Sequence, residues 1–129
     1  FAWLPEGGTR LTNVKVPGPN GGRTWDYISA IQWDGKFFVL DYGQTIYWVL
    51  LIHGQAYYVG DTELYHGSGQ FGFYRQKGAS QATVVVGPAD SESSSSVYYW
   101  NYPAGGQPVT EISHGVDQPV AVVVSLATK

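Results

Sequence analysis

The sequence predicts an all-β fold of antiparallel sheets in four-strand, blade-like units, a partial β-propeller, with a β-sandwich as the alternative. Seventeen glycines and seven prolines interrupt every stretch that could form an ordinary helix. Aromatic residues make up 16% of the chain, and flat side chains suit the pleated, half-buried surface of a sheet. With 129 residues, 43% of them hydrophobic, the chain has the size of a single domain with one core.

Short apolar runs between turn signals predict the strands in order. Such runs are typical of sandwiches, barrels and propellers. The run at residues 120–126 is densely β-branched, as expected of a strand buried on both faces. The predicted strands are residues 1–4, 9–16, 27–33, 36–42, 45–52, 55–59, 70–75, 83–87, 97–102, 109–112 and 120–126.

Glycine-containing dipeptides mark the hairpin turns between these strands. Asp34-Gly35 predicts a two-residue type I′ turn, because both central positions of that turn need a positive φ. The same reasoning predicts a second hairpin that turns at His53-Gly54. A third pair of strands is expected around Lys77.

An internal repeat relates the two ends of the chain. The string WLPEGG at residues 3–8 is similar to WNYPAGG at residues 100–106, and a short polar strand follows each copy. Each copy reads as an aromatic strand, a Pro-x-Gly-Gly turn and a polar strand. The offset between the copies is about twice the ~40–50 residues of one propeller blade.

Three strings resemble a bacterial family of secreted β-propeller-like proteins, related to NHL, YncE-type and lactonase-like propellers. They are IQWDGK at residues 31–36, VVGPAD at residues 85–90 and WNYPAGG at residues 100–106. The resemblance implies that the first string opens a blade and the last closes the next one, and it carries no catalytic set. In one domain, we therefore expect blade-like units at residues 27–64 and 70–112, with residues 1–16 and 120–126 as strands of partial blades.

Two blades cannot close a ring, so exposed faces and strand edges would invite association. We therefore expect a non-catalytic structural or adhesive protein, secreted or on the cell surface, that forms homo-oligomers or fibres through open blade edges. The predicted edge strand contains Val120, Val122 and Val124. Two alternatives remain. The chain could be a slice of a longer propeller, or residues 120–126 could pair with the N-terminal strands and close a small sandwich or barrel.

Neighbouring aromatic residues mark the candidate contact sites. Because side chains alternate along a strand, one ring of each pair lies in the core and the other is exposed or covered. Exposed tyrosine and tryptophan rings stack on sugars or anchor protein interfaces, so a carbohydrate-binding module is the alternative function. Packing between adjacent blades would explain the same rings. The candidates are Tyr47, Trp48, Tyr57, Tyr58, Tyr98, Tyr99 and Trp100.

Charge and chemistry argue against other classes of protein. The net charge is −3 and the seven basic residues are scattered, so the chain lacks the basic footprint of a nucleic-acid binder. There is no cysteine, and each of the three histidines precedes a glycine without zinc-ligand spacing, so we predict no metal and no cofactor. The longest apolar stretch, residues 46–52, is far short of the ~20 residues of a membrane span. An enzyme of the lactonase or glycosidase type is the third hypothesis, and the latter would need two carboxyl groups facing across a cleft.

Overall fold

The computed structural model describes residues 2–4, 6–16, 30–90 and 95–125. All regular secondary structure in these ranges is β, which confirms the predicted fold class. In the same ranges no helix has the length and apolarity to cross a membrane. The strands are β1 (Ala2–Trp3), β2 (Thr12–Asn13), β3 (Ala30–Trp33), β4 (Phe38–Tyr42), β5 (Thr45–Ile52), β6 (Gln55–Glu63), β7 (Gly72–Tyr74), β8 (Val84–Pro88), β9 (Val97–Asn101) and β10 (Thr110–Ile112).

Two four-stranded antiparallel sheets carry the fold. The first sheet has the order β3-β4-β5-β6, and the second has the order β10-β9-β8-β7. Neither sheet closes into a barrel, and β1 pairs with β2 in a separate two-stranded sheet. In both large sheets each strand pairs with the strand that precedes it in the chain, so both are antiparallel meanders.

The hairpin between β5 and β6 has the predicted turn. Ile52 pairs with Gln55, so His53 and Gly54 alone connect the strands. Their φ angles are 49° and 76°, both in the left-handed region that a primed two-residue turn requires. Strand β6 runs beyond its predicted end, through Glu63.

The predicted two-residue turn at Asp34-Gly35 is wrong. The last pair of the β3–β4 ladder is Trp33 with Phe38, so four residues make the connection. The carboxyl group of Asp34 accepts hydrogen bonds from the backbone N–H groups of Lys36 (2.7 Å) and Phe37 (2.6 Å). A side chain therefore closes this turn. The prediction failed because it considered only the φ preferences of the two residues Asp34 and Gly35.

A β-bulge bends the long β5–β6 pair. Trp48 pairs with Gly60 and Val49 pairs with Tyr58, which leaves Val59 as the extra residue. Gly60 has a φ of 156°, and a Cβ atom there would lie 2.8 Å from Cε3 of Trp48. Glycine at this position therefore lets the indole of Trp48 lie against the neighbouring strand.

The two copies of the Pro-x-Gly-Gly repeat lie in comparable strand pairs. Trp3 of the first copy pairs with Thr12, and Tyr99, the residue directly before the second copy, pairs with Thr110. Each antiparallel pair encloses its own Gly-Gly turn. The pair β1–β2 therefore corresponds to β9–β10, the third and fourth strands of the second sheet.

The Gly-Gly turn of the second copy docks on the first sheet. Gly106 N–H donates to the carbonyl oxygen of Glu63 (2.8 Å), and Tyr65 N–H donates to that of Gly106 (3.0 Å). The Thr62 hydroxyl donates to the Pro103 carbonyl at 2.8 Å. These bonds connect the end of β9 to the end of β6.

The main core lies between the two sheets. Trp100 is fully buried there; its ring meets Phe71 edge-on at 5.9 Å, and its Nε1–H donates to the Tyr65 carbonyl at 3.2 Å. Burial of such large apolar side chains stabilises the fold by about 25 cal/mol per Å². The buried members of this inter-sheet core are Val39, Ile46, Leu64, Phe71, Ala82, Val85, Trp100 and Tyr102.

The strand predicted at residues 120–126 is not formed in its described part, which ends at Ser125. One parallel bridge joins Gln70 to Ala121, with hydrogen bonds of 3.2 Å from Gln70 N–H to the Val120 carbonyl and from Val122 N–H to the Gln70 carbonyl. Residue 126 lies outside the described residues.

This segment is also not buried on both faces, because Val120 and Val123 are 79% and 88% exposed. A dense run of β-branched residues indicates a preference for extended backbone. Burial of both faces of such a strand requires, in addition, a layer of protein on each side. Among the described residues, a layer packs on one side of this segment only.

The carboxyl group of Asp34 links the two sheets. Its Oδ2 accepts hydrogen bonds from Nε2 of Gln81 (2.8 Å) and from the hydroxyl of Tyr102 (2.5 Å), which belong to the second sheet and its connections. The Asp34 carbonyl accepts from the N–H of Ala82 at 2.6 Å. Burial, followed by the hydrogen bond to Asp34, raises the pKa of the Tyr102 hydroxyl far above its usual range. The side chain of Asp34 is 2% exposed, so water cannot replace these bonds.

Replacing Asp34 with alanine should lower the free energy of unfolding by about 3 kcal/mol, because several buried donors lose their acceptor at once. Urea unfolding followed by tryptophan fluorescence measures the change. Asp117→Ala is the matched control, since Asp117 is exposed and its loss should cost under ~0.5 kcal/mol. Equal stabilities of the two variants would contradict the linking role of Asp34.

Candidate functional site

The first sheet has two apolar faces. Val39 and Asp41 point from β4 into the inter-sheet core, whereas Phe38 and Leu40 point to the opposite side. We call that opposite side the outer face. Its buried cluster consists of Val14, Leu40, Val49 and Ala56, with Val16, Phe38, Tyr47 and Leu51 packed around it.

An apolar groove of about 200 Å³ runs between the outer face and the segment that carries β1 and β2. The segment covers only part of the face. Leu4 is 50% exposed, Ile31 is 52% exposed and Trp33 is 54% exposed. The groove is lined by Ala2, Leu4, Val14, Val16, Ile31, Phe38, Leu40, Val49, Leu51 and Ala56.

The second sheet also has an apolar outer face, and a different segment covers it. Tyr74, Val84, Val86 and Tyr99 line a cleft together with residues 122–125 of the valine-rich run. The outer face of the first sheet is thus partly covered by the N-terminal part of the described chain, and that of the second sheet by its C-terminal part.

Three of the predicted contact residues lie in the inter-sheet core. Trp100 is fully buried, and Tyr98 packs edge-on against it at 5.8 Å. Trp48 stacks on Phe37 with ring centroids 5.7 Å apart and also meets Tyr102 at 6.4 Å. Packing between sheets accounts for these three rings, so a partner would have to contact other residues.

The remaining predicted aromatic residues lie nearer the surface. Tyr99 is on the outer face of the second sheet. Tyr57 is 45% exposed, and its hydroxyl donates to Oε1 of Gln55 at 2.8 Å. Tyr47 and Tyr58 lie on the outer face of the first sheet, where their ring centroids are 6.2 Å apart.

Tyr42 extends this pair into what we call the tyrosine row: Tyr42, Tyr47 and Tyr58. The Tyr42 and Tyr47 centroids are 6.4 Å apart. The Tyr58 hydroxyl donates to the carboxylate of Asp61, and this hydrogen bond is the main reason that the pKa of Tyr58 is raised to about 12. Sequence reasoning missed Tyr42 and Asp61, because only the cross-strand register brings them beside Tyr47.

Asp41 is a buried carboxyl group between the sheets. Its Oδ2 accepts from Nε2 of Gln32 at 3.4 Å and from the N–H of Phe71 at 3.3 Å, whereas Oδ1 has no hydrogen-bond partner. Burial raises the pKa of Asp41 to about 7, against the opposing effects of the Phe71 N–H and the Gln32 amide. The group therefore titrates near neutrality inside the interface that holds the sheets together.

The chemistry of the two grooves suits docking. Their linings contain aliphatic and aromatic side chains and no carboxyl group among the described residues. Asp34 and Asp41 are buried between the sheets, 2% and 0% exposed, instead of facing each other across a cleft. Within the described part of the chain no three histidine or acidic side chains lie close enough to hold a metal ion.

Comparison with family models, curated protein sequences and solved structures finds no significant match for this chain.

The raised pKa of Asp41 predicts a pH-dependent stability. The ordinary pKa of an aspartate is 3.8 and that of Asp41 in the folded protein is about 7, so between these values the folded state binds more protons than the unfolded state. The free energy of unfolding should therefore fall as pH rises from about 4 to 7, by up to ~1.4 kcal/mol per pH unit from this group, and then level off.

Asp41→Asn removes the titration and keeps the shape of the side chain. The difference in unfolding free energy between this variant and the wild type should favour the variant increasingly as pH rises to 7. Urea unfolding at a series of pH values measures it. A difference that is constant with pH would contradict the assignment.

Proposed function

We propose that this chain is a non-catalytic, extracellular structural or adhesive protein that associates with copies of itself. The observation that carries this proposal is the second apolar face of the first sheet. One face is covered by the second sheet, whereas the other leaves Ile31 and Trp33 half-exposed beside an apolar groove.

A sheet that is apolar on both faces behaves as a middle layer, because each apolar face is stabilised by burial against another layer. Contiguous exposed apolar surface on a soluble protein commonly marks an interaction site. Stacking of one such sheet on another is also the relation that neighbouring blades of a propeller would have.

The edges of the first sheet favour association on the side of β3. Strand β6 has features that oppose edge-to-edge pairing: the bulge at Val59 and the exposed carboxylates of Asp61 and Glu63. Strand β3 has no charged residue and exposes Ile31 and Trp33. The contact surface is therefore the β3 edge with the outer face next to it.

Sedimentation velocity should find wild-type particles whose mass is a multiple of 14.1 kDa and increases with concentration. Ile31→Asp should weaken self-association at least about tenfold, because a carboxylate would be buried in an apolar contact.

The matched control is Ile52→Asp, because Ile52 is 48% exposed and lies on the opposite face of the same sheet. A wild-type chain that stays at 14.1 kDa up to about 100 µM would overturn the proposal.

A carbohydrate-binding module is the second candidate, and the tyrosine row favours it. Three neighbouring rings offer faces for stacking on sugar C–H groups, and Asp61 supplies an exposed acceptor for sugar hydroxyls. Neighbouring rings are tilted by 56° and 51°, so the row is not a single flat platform. Such a row is a better match for a glucan that coils than for a glucan that forms a flat ribbon.

Affinity electrophoresis in gels containing laminarin, a coiling β-glucan, tests this candidate. The glucan should retard the wild type, and Tyr42→Ala should abolish the retardation. Tyr57→Ala is the control, since Tyr57 is similarly exposed but is not part of the row. Equal mobility of the wild type with and without laminarin would remove support for the coiling-glucan site.

A further inference from the structure

The two sheets differ in what covers their first strand. On β7 of the second sheet, the run Val120–Ser125, which we call the valine segment, lies directly on the outer face. Val122–Val124 line the same cleft as Tyr74, and a Cβ atom on Gly72 would lie 2.7 Å from the Val122 carbonyl oxygen. The outward-facing residues of β7 are thus covered by the chain itself.

The corresponding strand of the first sheet is β3, and it has less cover. Ile31 and Trp33 face outward from β3 as Gly72 and Tyr74 do from β7, yet both are more than half exposed. Val14 and Val16, which follow β2, pack on the neighbouring cluster around Leu40. The internal repeat relates β1–β2 to the third and fourth strands of a four-stranded sheet. Among the described residues, β1 and β2 form a sheet of two strands, without a counterpart of the first strand.

The valine segment is only partly buried in its own chain. Val122 and Val124 are half-buried, whereas Val123 between them is 88% exposed. An apolar side chain that is exposed in this way offers a contact to another layer.

From these three observations we infer that the valine segment of one copy docks on the outer face of β3 in a second copy. It covers Ile31 and Trp33 beside the β1–β2 pair, as it covers Tyr74 in its own chain. This inference rests on the proposed self-association and names the two surfaces that meet.

The contact joins two different surfaces, so it is heterologous. Each copy then carries one face that receives, at β3, and one segment that inserts, at Val120–Ser125. Repetition of such a contact produces closed rings when the rotation between copies closes, and open filaments when it does not. A contact between two identical faces would instead stop at a dimer.

Val123→Asp tests the inserting surface. We expect it to weaken self-association at least about tenfold in sedimentation velocity. The side chain is 88% exposed, so the variant should keep the wild-type thermal transition. Val109→Asp is the control, because Val109 is 58% exposed and lies outside the valine segment.

Mixing the two blocked variants tests the pairing itself. Ile31→Asp keeps an intact inserting segment, and Val123→Asp keeps an intact receiving face. The mixture should form a particle of twice 14.1 kDa, whereas each variant alone should stay at 14.1 kDa.

The possible failures separate the two proposals. If Ile31→Asp blocks association but Val123→Asp does not, or if the mixture stays at 14.1 kDa, the inference about the valine segment is overturned and self-association stands. If the wild type itself is monomeric, both proposals fall.

Discussion

The structure depends on one buried carboxyl group that belongs to both sheets. Asp34 closes the turn between the first two strands of one sheet and accepts hydrogen bonds from Gln81 and Tyr102 of the other. Apolar burial between the sheets is non-directional and would tolerate several relative positions. The Asp34 bonds have defined directions, so they set the position in which Trp100 and Phe71 interlock.

Asp41 adds a second polar link in the same interface, of a different kind. Its Oδ2 has long hydrogen bonds to Gln32 and Phe71, and its Oδ1 has none. Burial therefore favours the protonated acid, and the interface carries a group whose charge changes near neutral pH. Of the two carboxyl groups, Asp34 organises the interface and Asp41 makes its stability respond to pH.

The sheets held in this way form the middle of a stack. Each has an outer apolar face, and each outer face is partly covered by a short segment: β1–β2 on one and Val120–Ser125 on the other. A closed sandwich would present polar outer faces, since nothing would cover them. In this chain both outer faces are apolar, and Ile31 on one side of the stack and Val123 on the other are exposed. These exposed apolar residues are the physical basis for the proposed self-association.

Glycine spacing and side-chain alternation were sufficient to predict the all-β class and the turn at His53-Gly54, because both act over a few residues. The sequence also ranked Tyr47 and Tyr58 among the contact candidates. It could not separate them from Trp48 and Trp100, since alternation tells which rings lie on opposite faces but not which face meets another sheet.

Only the packing of the sheets distinguishes the buried rings from the exposed ones. The same packing accounts for three further features: the side-chain closure of the Asp34 turn, the exposure of the valines at 120 and 123, and the row completed by Tyr42. Each of these depends on residues distant in the chain, such as Gln81 beside Asp34. Local propensity carries no information about such neighbours, so only the packed sheets could assign these residues to core or surface.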